Sequence, residues 1–208
     1  DNYLENWIER QSLVESMIPI IGKFHRDKNV RILLYGNPLI SLSVIEIMQA
    51  HRAVREVEEN ELSEYETSMI LASLDKLDLG PAQIDIGILA AAFMFDDHGQ
   101  NIDEFVNDQV KKGIGNHTPV LKKPQDVVLF GFGRIGRLIT RLILEDTGAG
   151  ETFSLKAVVV RQSKSEDLFK RAELMRRDSV HGPFKGTIRV DEESNTLVMN
   201  CLLYTSPS

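Results

Sequence analysis

Between Asp126 and Gly136 the chain reads Asp-Val-Val-Leu-Phe-Gly-Phe-Gly-Arg-Ile-Gly, an apolar run that ends in three glycines spaced Gly-x-Gly-x-x-Gly. Few local sequences restrict a fold so tightly. Gly131 ends the run and permits a tight turn, Gly133 lets the backbone approach a bound group, and Gly136 lets the next helix pack close to the strand. A helix beginning near Arg134 then points unpaired N–H groups and its dipole at an anion. Strand, turn and helix start together suit the pyrophosphate of a nicotinamide dinucleotide. The three glycines alone would carry little information.

The sequence after this turn alternates between two periods. Val127 to Phe130, Arg134 to Glu145, Leu155 to Val160 and Ser165 to Arg177 read as strand, helix, strand, helix, which predicts parallel strands joined by right-handed crossovers. Gly186 to Val190 and Thr196 to Asn200 flank Asp191-Glu192-Glu193-Ser194-Asn195 and predict a hairpin. Residues 126–200 are therefore expected to form the first part of a Rossmann-type parallel-sheet dinucleotide-binding domain.

Residues 1–112 are expected to form an all-α extension, giving the chain an α/β class overall. Ser12 to Phe24 places Val14, Met17, Ile18 and Ile21 at helical spacing, with Pro19 as a kink. Leu39 to Val57 repeats the pattern. Ser63-Glu64-Tyr65-Glu66 is a capping box ahead of Met69, Ile70, Leu74 and Leu77, and Gly80-Pro81 closes that helix. Ala82 to Phe95 and Ile102 to Lys112 complete a small bundle of four or five helices. Residues 113–125 carry two glycines and two prolines without helical period, and read as a linker.

Charge divides along the same line. Residues 1–112 carry 10 Lys+Arg and 20 Asp+Glu, a net of −10, whereas residues 113–208 carry 14 and 11, a net of +3. An acidic first half repels phosphate backbones, so no nucleic-acid partner is expected. No membrane helix is expected either, because the longest apolar stretch, Ile84 to Phe95, falls well short of the roughly 20 residues that a bilayer demands. The chain opens without Met and without the pattern of a secretion signal, so its true start is expected upstream. A single cysteine excludes an internal disulfide and points to a reducing, cytoplasmic setting.

A second cofactor determinant is expected at the end of the next strand, where an NAD site offers a carboxylate to the adenosine ribose. Here Val158-Val159-Val160 is followed by Arg161-Gln162-Ser163-Lys164. Arg161 and Lys164 suit a 2′-phosphate, so the cofactor is read as NAD or NADP, leaning to NADP or dual use.

Gly131-Phe132-Gly133-Arg134-Ile135-Gly136-Arg137-Leu138, with Arg177-Asp178-Ser179-Val180-His181-Gly182-Pro183-Phe184-Lys185-Gly186 about 40 residues later, resembles the start of phosphorylating glyceraldehyde-3-phosphate dehydrogenase. The acidic helical region resembles the N-terminal extension of a longer bacterial form. The resemblance implies that Gly131, Phe132, Gly133, Arg134, Ile135 and Gly136 hold the cofactor, with the Arg134 and Ile135 backbones on its pyrophosphate. It places Arg161-Gln162 at the usual Asn-Asp pair beside the ribose, and it departs at Phe130, where the common form has Asn. It further implies an oligomeric, tetrameric parent that oxidises an aldehyde phosphate through a cysteine thiohemiacetal. A histidine is the base there, hydride passes to nicotinamide, and phosphate releases the acyl group.

That chemistry needs a Ser-Cys-Thr-Thr type segment and a distant His, neither of which is in this sequence. No residue here is assigned a catalytic role, and the fragment alone is expected to be inactive. Cys201 lacks a positioned base, and Cys-Leu-Leu-Tyr-Thr-Ser-Pro-Ser at 201–208 reads as a non-native tail. His181 is read as a loop residue bonding backbone, with Asp178 and Ser179 capping that loop. His25, His51, His98 and His117 lack ligand spacing, so no metal site is expected. Asp96-Asp97-His98-Gly99-Gln100 reads as a solvated turn rather than a calcium loop, and Glu56, Glu58, Glu59, Glu61, Glu64 and Glu66 as a wet surface. The alternative to an enzyme is a non-catalytic dinucleotide-binding or sensing module with an acidic helical interaction domain.

Overall fold

In a computed structural model, residues 2–58, 61–95, 101–118, 123–145, 152–160, 166–194, 196–200 and 202–205 are described. The chain divides into two compact units, residues 1–120 and 121–208.

The first unit contains α1 (Asn2–Lys28), β1 (Val30–Leu34), β2 (Asn37–Pro38), α2 (Val44–Glu58), α3 (Glu64–Asp75), β3 (Ala82–Asp85), α4 (Ile86–Phe95) and α5 (Ile102–Val110). All five expected helical segments are present, and α1 continues through Pro19 to Lys28. The expected all-α content is corrected by a three-stranded sheet of order β2-β1-β3, in which β1 and β3 run parallel from Val30↔Ala82 to Leu33↔Asp85. Ala82–Asp85 falls at the start of the helix expected from Ala82 to Phe95. A four-residue stretch takes its conformation from its distant partner, which local periodicity does not reveal.

Asp85 fixes the junction of this sheet with α4. Its carboxylate accepts backbone N–H bonds from Tyr35 (3.0 Å) and Gly36 (2.6 Å) in the turn after β1, and from Gly87 (3.1 Å) and Ile88 (3.0 Å) in the first turn of α4. A single side chain thus caps a helix and closes a turn. The core gathers Val14, Met17, Ile21 and Phe24 of α1, Ile70, Leu71 and Leu74 of α3, Ile32 and Leu34 of β1, and Phe105 and Val106 of α5. Each such fully buried aliphatic side chain contributes on the order of 1.5–3 kcal/mol of transfer free energy.

Within this apolar surround lies a polar knot. Glu64, 1% exposed, accepts from Arg10 at 2.6 Å and faces Arg55 at 3.7 Å, joining α1, α2 and α3. Glu64 is therefore a correction to the reading of the Glu56–Glu66 run as wet surface. His51 is buried beside it, with Nδ1 2.8 Å from the Ile47 carbonyl and Nε2 2.8 Å from the Thr67 hydroxyl. Burial holds the His51 imidazole below its ordinary value of 6.5, against the opposing pull of the Ile47 bond and the Glu64 charge. The Ser63–Glu66 capping box forms as expected. A second one stands at α2, where Ser43 N–H donates to Glu46 at 2.8 Å and Glu46 N–H to the Ser43 hydroxyl at 3.3 Å.

Gly113 to Gly115, read as the start of a linker, bond to residues 78–80 of the first unit. Gly80 N–H donates to the Gly113 carbonyl (3.1 Å), Gly115 N–H to the Asp78 carbonyl (2.8 Å), and Ile114 bridges Leu79.

The second unit runs β4 (Gln125–Phe130), α6 (Arg134–Glu145), β5 (Phe153–Val159), α7 (Glu166–Arg176), β6 (Arg177–Asp178), β7 (Gly182–Pro183), β8 (Ile188–Asp191), β9 (Thr196–Met199) and β10 (Leu202–Thr205). The alternation expected from the sequence is present: β4 and β5 are parallel from Gln125↔Phe153 to Phe130↔Val159, with a register shift at Val127/Val128, and α6 connects them. β8 and β9 form the expected hairpin, and the backbone of β10, within the segment read as a non-native tail, pairs with β9 from Leu202↔Met199 to Thr205↔Thr196. Ile143 and Leu144 of α6, Leu155 and Val158 of β5, Ala172 and Met175 of α7, and Leu197 and Met199 of β9 form the core.

Candidate functional site

The turn between β4 and α6 is built as the glycine spacing demands. Gly131 has φ +97°, a conformation that side-chain-bearing residues avoid, and its N–H donates to the Val159 carbonyl at 2.7 Å. A Cβ on Gly136 would stand 2.5 Å from the Gly131 carbonyl oxygen, so only glycine lets α6 start this close to the turn. A Cβ on Gly133 would meet nothing within 4 Å. That glycine opens onto free space.

The space is a groove of about 470 Å³, lined by Leu129, Phe130, Gly131, Gly133, Arg134, Ile135, Gly136 and Ile139. Its composition fits a dinucleotide. The first N–H groups of α6, from Arg134 onward, have no intrahelical acceptor and offer donors and positive dipole to a phosphate. The Arg137 N–H, by contrast, already bonds the Gly133 carbonyl at 2.9 Å, and the Arg137 guanidinium donates to the Phe132 carbonyl at 3.2 Å. Those two bonds turn carbonyls into the protein. The walls are apolar, with Phe130 84% exposed and Ile135 73% exposed, a surface suited to flat rings rather than to water.

Of the residues singled out in the sequence, Gly131, Phe132, Gly133, Arg134, Ile135 and Gly136 fall together in this turn and helix start. Phe132 is half-buried, packs against the core, and has its carbonyl bonded by Arg137 rather than lining the groove. Arg161 and Gln162 lie outside the described residues, as do Asp96 to Gln100 and Cys201. Phe130, where a polar residue was expected from the resemblance, contributes an apolar wall.

The second segment, Asp178 to Gly182, behaves partly as expected. Asp178 caps its loop, accepting N–H bonds from Val180 (2.9 Å) and His181 (3.0 Å). The His181 ring bonds not backbone but the Asp178 carboxylate, through Nδ1 at 3.1 Å. These backbone bonds, then the ring and the nearby Arg134 charge, hold the Asp178 carboxyl far below the usual carboxylate range. Arg141 and the meeting of Arg134 with Asp178 were not legible in the sequence. Arg141, buried, donates to the Met175 carbonyl at 3.0 and 2.7 Å and to the Gly182 carbonyl at 2.9 Å. Arg134 meets Asp178 at 3.6 Å. The available signal was the seven-residue spacing of Arg134 and Arg141, which sets both on one helix face.

Among the described residues, no three His, Cys, Asp or Glu side chains are grouped as a metal site, and no helix is long and apolar enough to cross a membrane.

Residues 125–202 match the family described as glyceraldehyde 3-phosphate dehydrogenase, NAD binding domain. A glyceraldehyde-3-phosphate dehydrogenase-like protein of Pseudomonas aeruginosa (strain UCBPP-PA14) is 47% identical over 186 residues, covering 88% of this chain and 40% of that protein. Glyceraldehyde-3-phosphate dehydrogenase 1 of Trichoderma koningii is 46% identical over 61 residues, 29% of this chain and 16% of its own length. The chain thus spans well under half the length of these relatives. The long match extends through the helical region, whereas the family match is confined to the second unit. With its glycine turn, parallel pair and connecting helix in place, the second unit carries an NAD-binding domain of the glyceraldehyde 3-phosphate dehydrogenase type at residues 125–202.

Proposed function

We propose that this chain supplies the dinucleotide-holding part of a longer enzyme that oxidises glyceraldehyde 3-phosphate with phosphate to 1,3-bisphosphoglycerate. The observation that carries the reading is the Gly131–Gly136 turn, where an obligatory glycine packs the helix and an unobstructed one faces the groove. When bound there, the nicotinamide supplies hydride acceptance. The residues of this chain bind and orient. Arg134 and Ile135 N–H groups hold the pyrophosphate, Gly133 admits it, and Phe130, Ile135 and Ile139 exclude water from the rings.

Arg161-Gln162 stands beside the adenosine ribose in this reading, and Arg161 with Lys164 pairs a 2′-phosphate, so NADP is accepted along with NAD. No catalytic residue is assigned to this chain, which by itself turns nothing over. The cysteine nucleophile and its base belong to the remainder of a homotetrameric parent in the cytoplasm, whose partners are the dinucleotide and a small aldehyde phosphate rather than nucleic acid or membrane.

A second reading draws support from the self-contained core of residues 1–120. In it the acidic helical unit is an interaction module and the second unit senses dinucleotide without catalysis.

Fluorescence titration with NADH and NADPH tests the binding, and the coding sequence beyond residue 200 separates the two readings. Both cofactors should bind, Arg161→Asp should selectively weaken NADPH, and a Ser-Cys-Thr segment should follow about 150 residues downstream. Failure to bind either cofactor would overturn both readings. Unchanged NADPH affinity in Arg161→Asp would remove the 2′-phosphate assignment alone, and a stop codon would favour the sensing module.

A further inference from the structure

Arg134 is the one charged side chain lining the groove among the described residues, and its direction is set by a loop 44 positions later in sequence. Its side chain is 54% exposed and reaches 3.6 Å from the carboxylate of Asp178, whose side chain is only 9% exposed. That carboxylate is itself held in place. Val180 N–H, His181 N–H and the His181 ring all donate to its Oδ1, leaving Oδ2 turned to Arg134.

The loop is anchored a second time to the same helix. About two turns further along α6, Arg141 donates to the Met175 carbonyl before the loop and the Gly182 carbonyl at its end. Helix start, Arg134, Asp178, loop and Arg141 therefore close a ring of contacts around residues 175–182. Such a ring removes freedom from a long side chain that would otherwise sample many rotamers at the mouth of the groove.

We propose that Asp178 is a positioning residue for dinucleotide binding, holding the Arg134 guanidinium where it pairs with the pyrophosphate of the bound cofactor. The inference rests on the reading of the groove as the dinucleotide site. A guanidinium already oriented by a fixed counter-ion loses less entropy on pairing with the diphosphate than a free one, and its fork geometry suits phosphate oxygens. Asp178 touches no cofactor in this account. It acts through Arg134.

A double-mutant cycle read by NADH fluorescence tests this. Asp178→Asn keeps an oxygen for the Val180 and His181 N–H groups, so the loop turn is retained while the charge facing Arg134 is lost. Arg134→Gln changes an exposed side chain and provides a variant whose folding does not depend on that loop. Each single variant should weaken NADH binding about fivefold, and the double variant no more than either, with unfolding temperatures unchanged. A purely structural role for Asp178 would instead lower the unfolding temperature and leave the cycle additive. Unaltered affinity in Asp178→Asn, or additive losses in the double variant, would overturn the proposal while leaving the groove as the site. Absence of NADH binding by the unmodified protein would overturn the site assignment and the proposal with it.

Discussion

The two units satisfy their apolar surface differently. Among the described residues, the first unit buries 21 apolar side chains in one cluster and the second buries nine. Both units leave apolar side chains exposed, Tyr3, Leu4 and Val57 among them in the first, but in the second Phe130, Ile135 and Leu142 do so along β4 and one face of α6, beside the glycine turn. In the first unit even a carboxylate, Glu64, is drawn inside and neutralised by arginines. Residues 1–120 are organised around stability, and the glycine turn of the second unit around access. A turn that must admit a ligand cannot also be filled by side chains.

The contrast breaks most readily by matched truncations. Leu71→Ala in α3, at a fully buried position, should cost about 4 kcal/mol, and Leu144→Ala in the smaller second core about 2–3 kcal/mol. Hydrogen exchange of residues 64–75 and of 125–130 reads each unit separately. Equal losses of protection would show that the two cores are alike after all.

Glu64→Ala should come next, because it leaves Arg10 and Arg55 without their shared counter-ion. Both arginines retain a quarter of their side-chain exposure, so water offsets part of the penalty and about 2–3 kcal/mol is expected. The loss should appear in α1–α3 amides, with NADH binding untouched. Gly136→Ala should show the reverse emphasis, since its new methyl meets backbone rather than a movable side chain. The turn must open, and NADH affinity should fall at least about tenfold, with weaker protection confined to β4 and α6.

A smaller effect follows from His51. Its folded-state value lies below 6.5, so the neutral ring is favoured in the folded chain, while the unfolded chain takes up a proton near 6.5. The resulting stability is intact above that pH and is lost progressively as pH falls from about 6.5 towards the lower folded value. The first unit should soften over that range, as measured by exchange corrected for intrinsic rate, and His51→Gln should flatten the profile. A profile unchanged by the substitution would remove His51 as its source.

Much of this contrast could be read from local chemistry. The Gly131–Gly136 turn was legible because each glycine answers a separate steric demand within six residues, and Ser63–Glu66 because a capping box is complete in four. Ser43–Glu46 carries the same signature, yet apolar periodicity from Leu39 onward hid the true start of α2. Ser41, with φ +63°, lies in a turn ahead of that start and outside helical conformation. β1 and β3 went unread because a parallel pair 52 residues apart is stabilised by partner and burial, not by its own pattern. Glu64 resembled its exposed neighbours in every local respect. Only the convergence of α1 and α2 on it decides its burial. Arg134 with Asp178 failed the same way: each residue was noticed, but their meeting depends on how the 175–182 loop returns to α6.

The central claim is that the open space beside Gly133 receives the cofactor pyrophosphate. Gly133→Val tests it most directly, because a Cβ there meets no atom within 4 Å and the residue is outside the left-handed backbone region. NADH titrations of the unmodified protein and of the Gly133→Val variant, with thermal unfolding alongside, should show affinity reduced about tenfold or more at an unchanged unfolding temperature. Equal NADH affinity in the two proteins, or none in either, would contradict the account.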